Sequence, residues 1–125
     1  AWAAASGAPN EDAVRLIDTE IGNATAAGPL PQYYLGLAAE VLLASGRPSD
    51  ALSHLDRALA GIDEAGVGFY LPEIYRLRGA CLLALDRGNK AEARSAFATA
   101  VEIARRQGAV IFERRAQTSM SELAV

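Results

Sequence analysis

The chain has 125 residues, a single-domain length, and its twelve basic and fifteen acidic side chains give a formal net charge of -3. That balance offers no broad attraction for phosphate backbones, which argues against a nucleic-acid partner. The lone cysteine, Cys81, excludes an internal disulfide and lies in the apolar run 80–85, where a small buried thiol in a reducing cytoplasm is the ordinary reading.

No uninterrupted apolar stretch approaches the roughly 20 residues needed to cross a bilayer, so membrane insertion is not expected. The opening segment from Ala1 to Ala8 lacks a basic region and a long apolar core and does not read as a secretory signal. It also lacks an initiator Met. Residues 1–9 are therefore expected to be a tail within a longer polypeptide, with Trp2 the last apolar residue of an upstream helix.

In chain order, the first helix is expected over roughly 10–26, capped by Asn10, carrying Val14, Ile17 and Ile21, and stopped by Gly28. A second, roughly 30–45, has Pro31 in its first turn, Leu35, Ala39 and Leu42 on one face, and Gly46 as its stop. The third, roughly 48–64, opens on Pro48, repeats Leu52, Leu55 and Leu59, and ends before Gly66. Phe69, Tyr70 and Leu71 then staple the start of a fourth helix, roughly 70–86, with Pro72 in its first turn and Gly88 beyond its end. Asn89, three residues ahead of Glu92, is expected to cap a fifth helix, roughly 89–107, in which acidic residues lead, Arg105 and Arg106 trail, and Gly108 closes. A sixth runs over roughly 109–124. The five stop glycines are separated by 18, 20, 22 and 20 residues, and each is expected in the left-handed conformation that satisfies the last carbonyls of a helix. Nothing shows a sustained period of two. The fold class is all-α, with antiparallel hairpins over about 10–45, 48–86 and 89–124.

The hairpins repeat. Ala51, Leu55 and Ala58 recur as Ala93, Phe97 and Ala100, displaced by 42 residues, while Leu35, Ala39 and Leu42 match Tyr75, Gly79 and Leu82 at a displacement of 40. Small residues at Ala39, Gly79, Ala58 and Ala100 allow close helix approach, and large ones fill the remaining space. Such pairs bury their faces only by stacking into a solenoid with a concave side.

This pattern resembles the tetratricopeptide repeat, whose first helix carries Gly or Ala before an apolar position and whose second carries A-x3-F-x2-A. Ala93, Phe97 and Ala100 match; Leu55 replaces the aromatic between Ala51 and Ala58. The period near 40, against the usual 34, resembles a longer variant found in bacterial signal-transduction proteins. More specifically, segments 71–79, 93–109 and 113–119, with 33–47 upstream, look like the C-terminal helical array of bacterial predicted ATPases and class III adenylate or guanylate cyclase-like regulators. The resemblance implies a right-handed α-solenoid at the end of a multidomain parent with a cyclase-like or DNA-binding region and an ATPase. The sequence here has no G-x4-G-K-[ST] phosphate loop and no paired metal-binding aspartates, so no enzyme activity and no cofactor are carried over.

Candidate sites follow from that frame. The inner side of each first helix is expected to show Tyr33, Gly36 and Glu40, then Glu73, Arg76 and Ala80, then Glu113, Ala116 and Met120. This mixture suits a peptide, a neighbouring helix or another domain of the parent, although Tyr33 and Met120 could equally pack between hairpins. Self-association and small-molecule sensing are the alternatives. Charge reversal at Arg76 is expected to weaken binding without unfolding the domain. His54, the sole histidine, reads as a partly exposed helix residue, since one His and one distant Cys are too few for a metal or nucleophile. Arg105, Arg106, Arg114 and Arg115 read as solvated helix-end charges paired with Glu102 or Glu113.

Overall fold

The computed structural model describes residues 32–60 and 69–123, together with Arg15, which is helical and exposed. The rest of the first expected helix and the stops at Gly28 and Gly66 lie outside the described residues, as does the side chain of Tyr33. Among the described residues there are five α-helices, one short 3-10 turn and no strand. They are α1 (Gln32–Ala44), α2 (Pro48–Ala60), α3 (Leu71–Leu85), α4 (Lys90–Gln107) and α5 (Val110–Leu123), with the 3-10 turn Arg87–Asn89 between α3 and α4.

Two of the expected glycine stops take the conformation that only glycine adopts cheaply. Gly46 has φ 79° and Gly108 has φ 69°. At the first, the Arg47 amide donates to the Leu42 carbonyl at 2.8 Å and the Gly46 amide to Leu43 at 3.1 Å. The second repeats the pattern, with Ala109 donating to Ala104 at 2.9 Å and Gly108 to Arg105 at 3.2 Å. Both are Schellman closures, which satisfy carbonyls that the helix leaves open.

The end of α3 departs from the expectation. Gly88 is not left-handed but sits in the 3-10 turn, and Asp86, in extended conformation, ends the helix while its carboxylate accepts from the Gly88 amide at 2.8 Å. Asn89 makes no side-chain cap for α4. Its amide instead donates back to the Leu82 carbonyl at 2.9 Å, so it finishes α3 rather than starting α4. An open carbonyl at the end of the preceding helix outcompeted the forward amides, because the 3-10 turn brings Asn89 beneath it.

Packing follows residue size. In α2 the buried positions Ala51, Leu55 and Ala58 form one stripe, as do Ala93, Ala96, Phe97, Ala100, Val101 and Ala104 in α4. The central helix α3 is buried on several sides and touches all four others. Leu35, Leu42, Leu55, Ile74, Leu77 and Cys81 belong to the largest apolar cluster, shared by α1, α2 and α3. Two smaller clusters join α4 to α5, one around Ala93, Phe97 and Leu123 and one around Ala100, Val101 and Ala116, with Met120 packed against both.

The odd-numbered helices contact one another in series, α1 on α3 and α3 on α5, whereas α2 and α4 do not pack together to a comparable degree. The closest pairs are α3/α4, α1/α2 and α4/α5; the α2/α3 junction, placed at the centre of the expected 48–86 hairpin, is looser. All eight positions read as repeat packing (Ala39, Ala51, Leu55, Ala58, Gly79, Ala93, Phe97 and Ala100) are buried.

Candidate functional site: an arginine-lined groove on α3 and α5

The site begins with a carboxylate that has left water. Glu73, in the first turn of α3, is 1% exposed. The helix N-terminus favours an anion there, but a buried charge also needs a partner. It has two. Arg76, one turn along, donates from Nε to Oε2 at 2.5 Å, and Arg115 of α5 pairs through Nη1 with Oε1. The other terminal nitrogen of Arg115 lies 3.7 Å from Oε2 of Glu40 on α1. One guanidinium therefore reaches carboxylates on both other helices of the odd-numbered series.

Tyr70 packs beside this network because α1 has a glycine there. A Cβ on Gly36 would lie 2.5 Å from Cε2 of Tyr70, so the ring occupies the space a side chain would need. Phe112 of α5 meets the same ring edge-on at 5.8 Å. The Tyr70 phenol is pushed up to about 12, by burial first and then by the Glu73 and Glu40 carboxylates, with Arg115 and Arg76 opposing.

Beyond the ion pairs lies a groove of about 530 Å³. Leu83, Phe97 and Leu123 contribute its apolar lining, and Arg76, Arg87, Arg115 and Glu122 its charged lining. Arg87, exposed in the 3-10 turn, makes no ion pair or side-chain hydrogen bond among the described residues. Such a surface can hold an anionic group by forked hydrogen bonds while covering an adjacent apolar one. A smaller hollow of 260 Å³ against Tyr75 and Glu92 has its arginine, Arg78, engaged by Asp56 at 3.1 Å.

The residues read from sequence as an inner face are partly brought together here. Glu40, Glu73 and Arg76 meet in the charge network, and Arg76 and Ala80 line the groove. Gly36 and Glu73 are not displayed, however: the first lies under Tyr70 and the second is sealed beneath two arginines. Ala116 is buried, Met120 packs against α4, and Glu113 turns back to accept from Arg105 of α4 at 2.8 Å. Tyr70 is buried, while its neighbour Phe69 stands 66% exposed. Arg76→Glu is thus no simple surface change, because it would set a second carboxylate against buried Glu73.

Arg106 pairs with Glu102, as a solvated helix end would. Arg115 does not, and sequence reasoning missed it. No local pattern announces a pairing between residues 42 positions apart on separate helices. Among the described residues no group of His, Cys, Asp and Glu is placed to hold a metal, and no helix is long and apolar enough to cross a membrane. His54 is half-buried within α2.

No protein-family model matches the chain, and no solved structure matches it. The chain is similar to a curated protein of Rhizobium meliloti (strain 1021) bearing the name "Uncharacterized protein R02095", with 35% identity over 93 residues. The matched stretch is 74% of this chain and 9% of that protein, so the chain spans about a tenth of the relative's length.

Proposed function

We propose that this chain is a non-catalytic, tetratricopeptide-like right-handed array that serves a cytoplasmic bacterial signalling or transcriptional regulator as a protein-interaction module. The groove on α3 and α5 carries this reading, because it sets arginines beside apolar side chains that are anchored in the α4/α5 core. Contacts of α1 with α3 and α3 with α5 support an inner row of first helices, with α2 and α4 behind them. The short share of the Rhizobium meliloti protein that the chain spans supports a module within a larger parent. Its partner is then a segment of another protein or of that parent.

The test is to isolate peptides that bind the chain from a random library and map them by amide chemical shifts. Shifts concentrated on Ala80, Leu83 and Ser119 are expected; shifts confined to the exposed faces of α2 and α4 would remove the groove from the account. A second reading is self-association, favoured by Val110 and Ile111 of α5, which stand 60% and 70% exposed. Light scattering separates it, since a strict monomer at high concentration excludes assembly through that patch.

A further inference from the structure

Resting on the interaction reading above, we infer that the α3/α5 groove recognises an acidic peptide segment in which Asp or Glu stands beside a large apolar residue. The first ground is local charge. The chain as a whole is at -3, and of the groove's arginines Arg76 and Arg115 already face Glu73 and Glu40, whereas Arg87 has no carboxylate partner among the described residues. An unpaired guanidinium at the rim of a hollow favours a partner that brings its own carboxylate.

The second ground is unmet hydrogen-bonding capacity. A guanidinium has five N–H donors in a planar fork. Arg76 commits Nε to Glu73, and among the described residues its side chain makes no other hydrogen bond; Arg87 makes none. Glu73 also holds two of the three arginines in place before a ligand arrives, which lowers the ordering cost of a bidentate carboxylate contact. The third ground separates a peptide from a free anion. Leu83 is half-buried at the groove wall beside Ala80, and an apolar side chain adjacent to the carboxylate would cover both.

The experiment pans a phage library of random dodecapeptides against the full chain at low salt, then measures synthetic copies of the enriched peptides by fluorescence anisotropy. Enriched peptides are expected to place Asp or Glu beside Leu, Ile or Phe. Replacing those acids by Asn or Gln should weaken binding at least tenfold, as should Arg87→Glu in the protein, whose helicity circular dichroism verifies. Arg94→Glu, on an exposed position of α4 that does not line the groove, should leave affinity unchanged. Peptides that bind the groove without acidic bias would overturn this inference and leave the interaction reading standing. Binding indifferent to Arg87→Glu would overturn it too, as would displacement by equimolar inorganic phosphate, which would make a free anion the ligand. A library that yields no binder would sink both.

Discussion

In the α1/α2 pair, Ala39 and Leu55 belong to one apolar cluster; at the corresponding places of α3/α4 stand Gly79 and Phe97. The second pair has a larger side chain on one helix and a smaller one on the other. A Cβ at Gly79 would lie 2.6 Å from Cε1 of Phe97, so the missing methyl is what admits the ring. Their surroundings differ as well. Leu55 is embedded in a cluster spanning three helices, whereas Phe97 joins a small one with Ala93 and Leu123 and also lines the groove. The two pairs thus exchange volume in a complementary way, and the aromatic version sets a buried ring beneath the groove.

The comparison can be broken at several points. Truncating Phe97→Ala should have the largest effect, about 3 to 5 kcal/mol in chemical denaturation, since it opens a cavity between Ala93, Leu123 and the missing side chain of Gly79. Gly79→Leu should cost about 3 kcal/mol through overpacking against a ring that is only 2% exposed; an unchanged melting temperature would show that the ring can swing away. Arg115→Met should cost about 2 kcal/mol, less than a fully buried pair because Arg115 is partly exposed, and the loss should be absent in a Glu73→Met background. The exchange itself is sharpened by installing Gly and Phe in the first pair. Leu55→Phe alone should destabilise, and adding Ala39→Gly should bring the total below about 1.5 kcal/mol, a coupling that a double-mutant cycle reads directly.

A further effect, developed only in alkali, is that of pH on Tyr70. Its folded pKa, about 12, lies above the ordinary 10.0, so the fold favours the neutral phenol. Stability should be level with respect to this group below pH 10 and decline as pH rises from 10 towards 12, with Tyr70→Phe flattening that part of the curve.

Much of the helical frame was legible because it is local. Gly46 and Gly108 announce their own caps, and the small-large-small spacing at Ala51, Leu55, Ala58 and at Ala93, Phe97, Ala100 is a one-dimensional record of a buried stripe. The boundary at Gly88 was misread because a polar alternative, Asp86 with Asn89, closes the helix without a left-handed residue. The site was legible only in outline. Glu40, Glu73 and Arg76 meet in one charge network, but periodicity cannot tell a displayed glutamate from one sealed by a guanidinium on a helix some forty residues away. Gly36 misled for a related reason: a residue without a side chain carries no pattern of its own, and its meaning comes from the Tyr70 ring it admits.

Cys81 sits at 0% exposure within the α1–α3 cluster, its thiol pushed up to about 12, mainly by burial. A sulfur so placed is inert to alkylating reagents while the helices stay closed and reacts at an ordinary rate once they part. Pulse labelling at this one atom therefore times the transient opening of the three-helix core without any introduced probe. Read with and without a peptide in the groove, the same clock reports whether occupancy on α3 and α5 tightens helices that the peptide never touches.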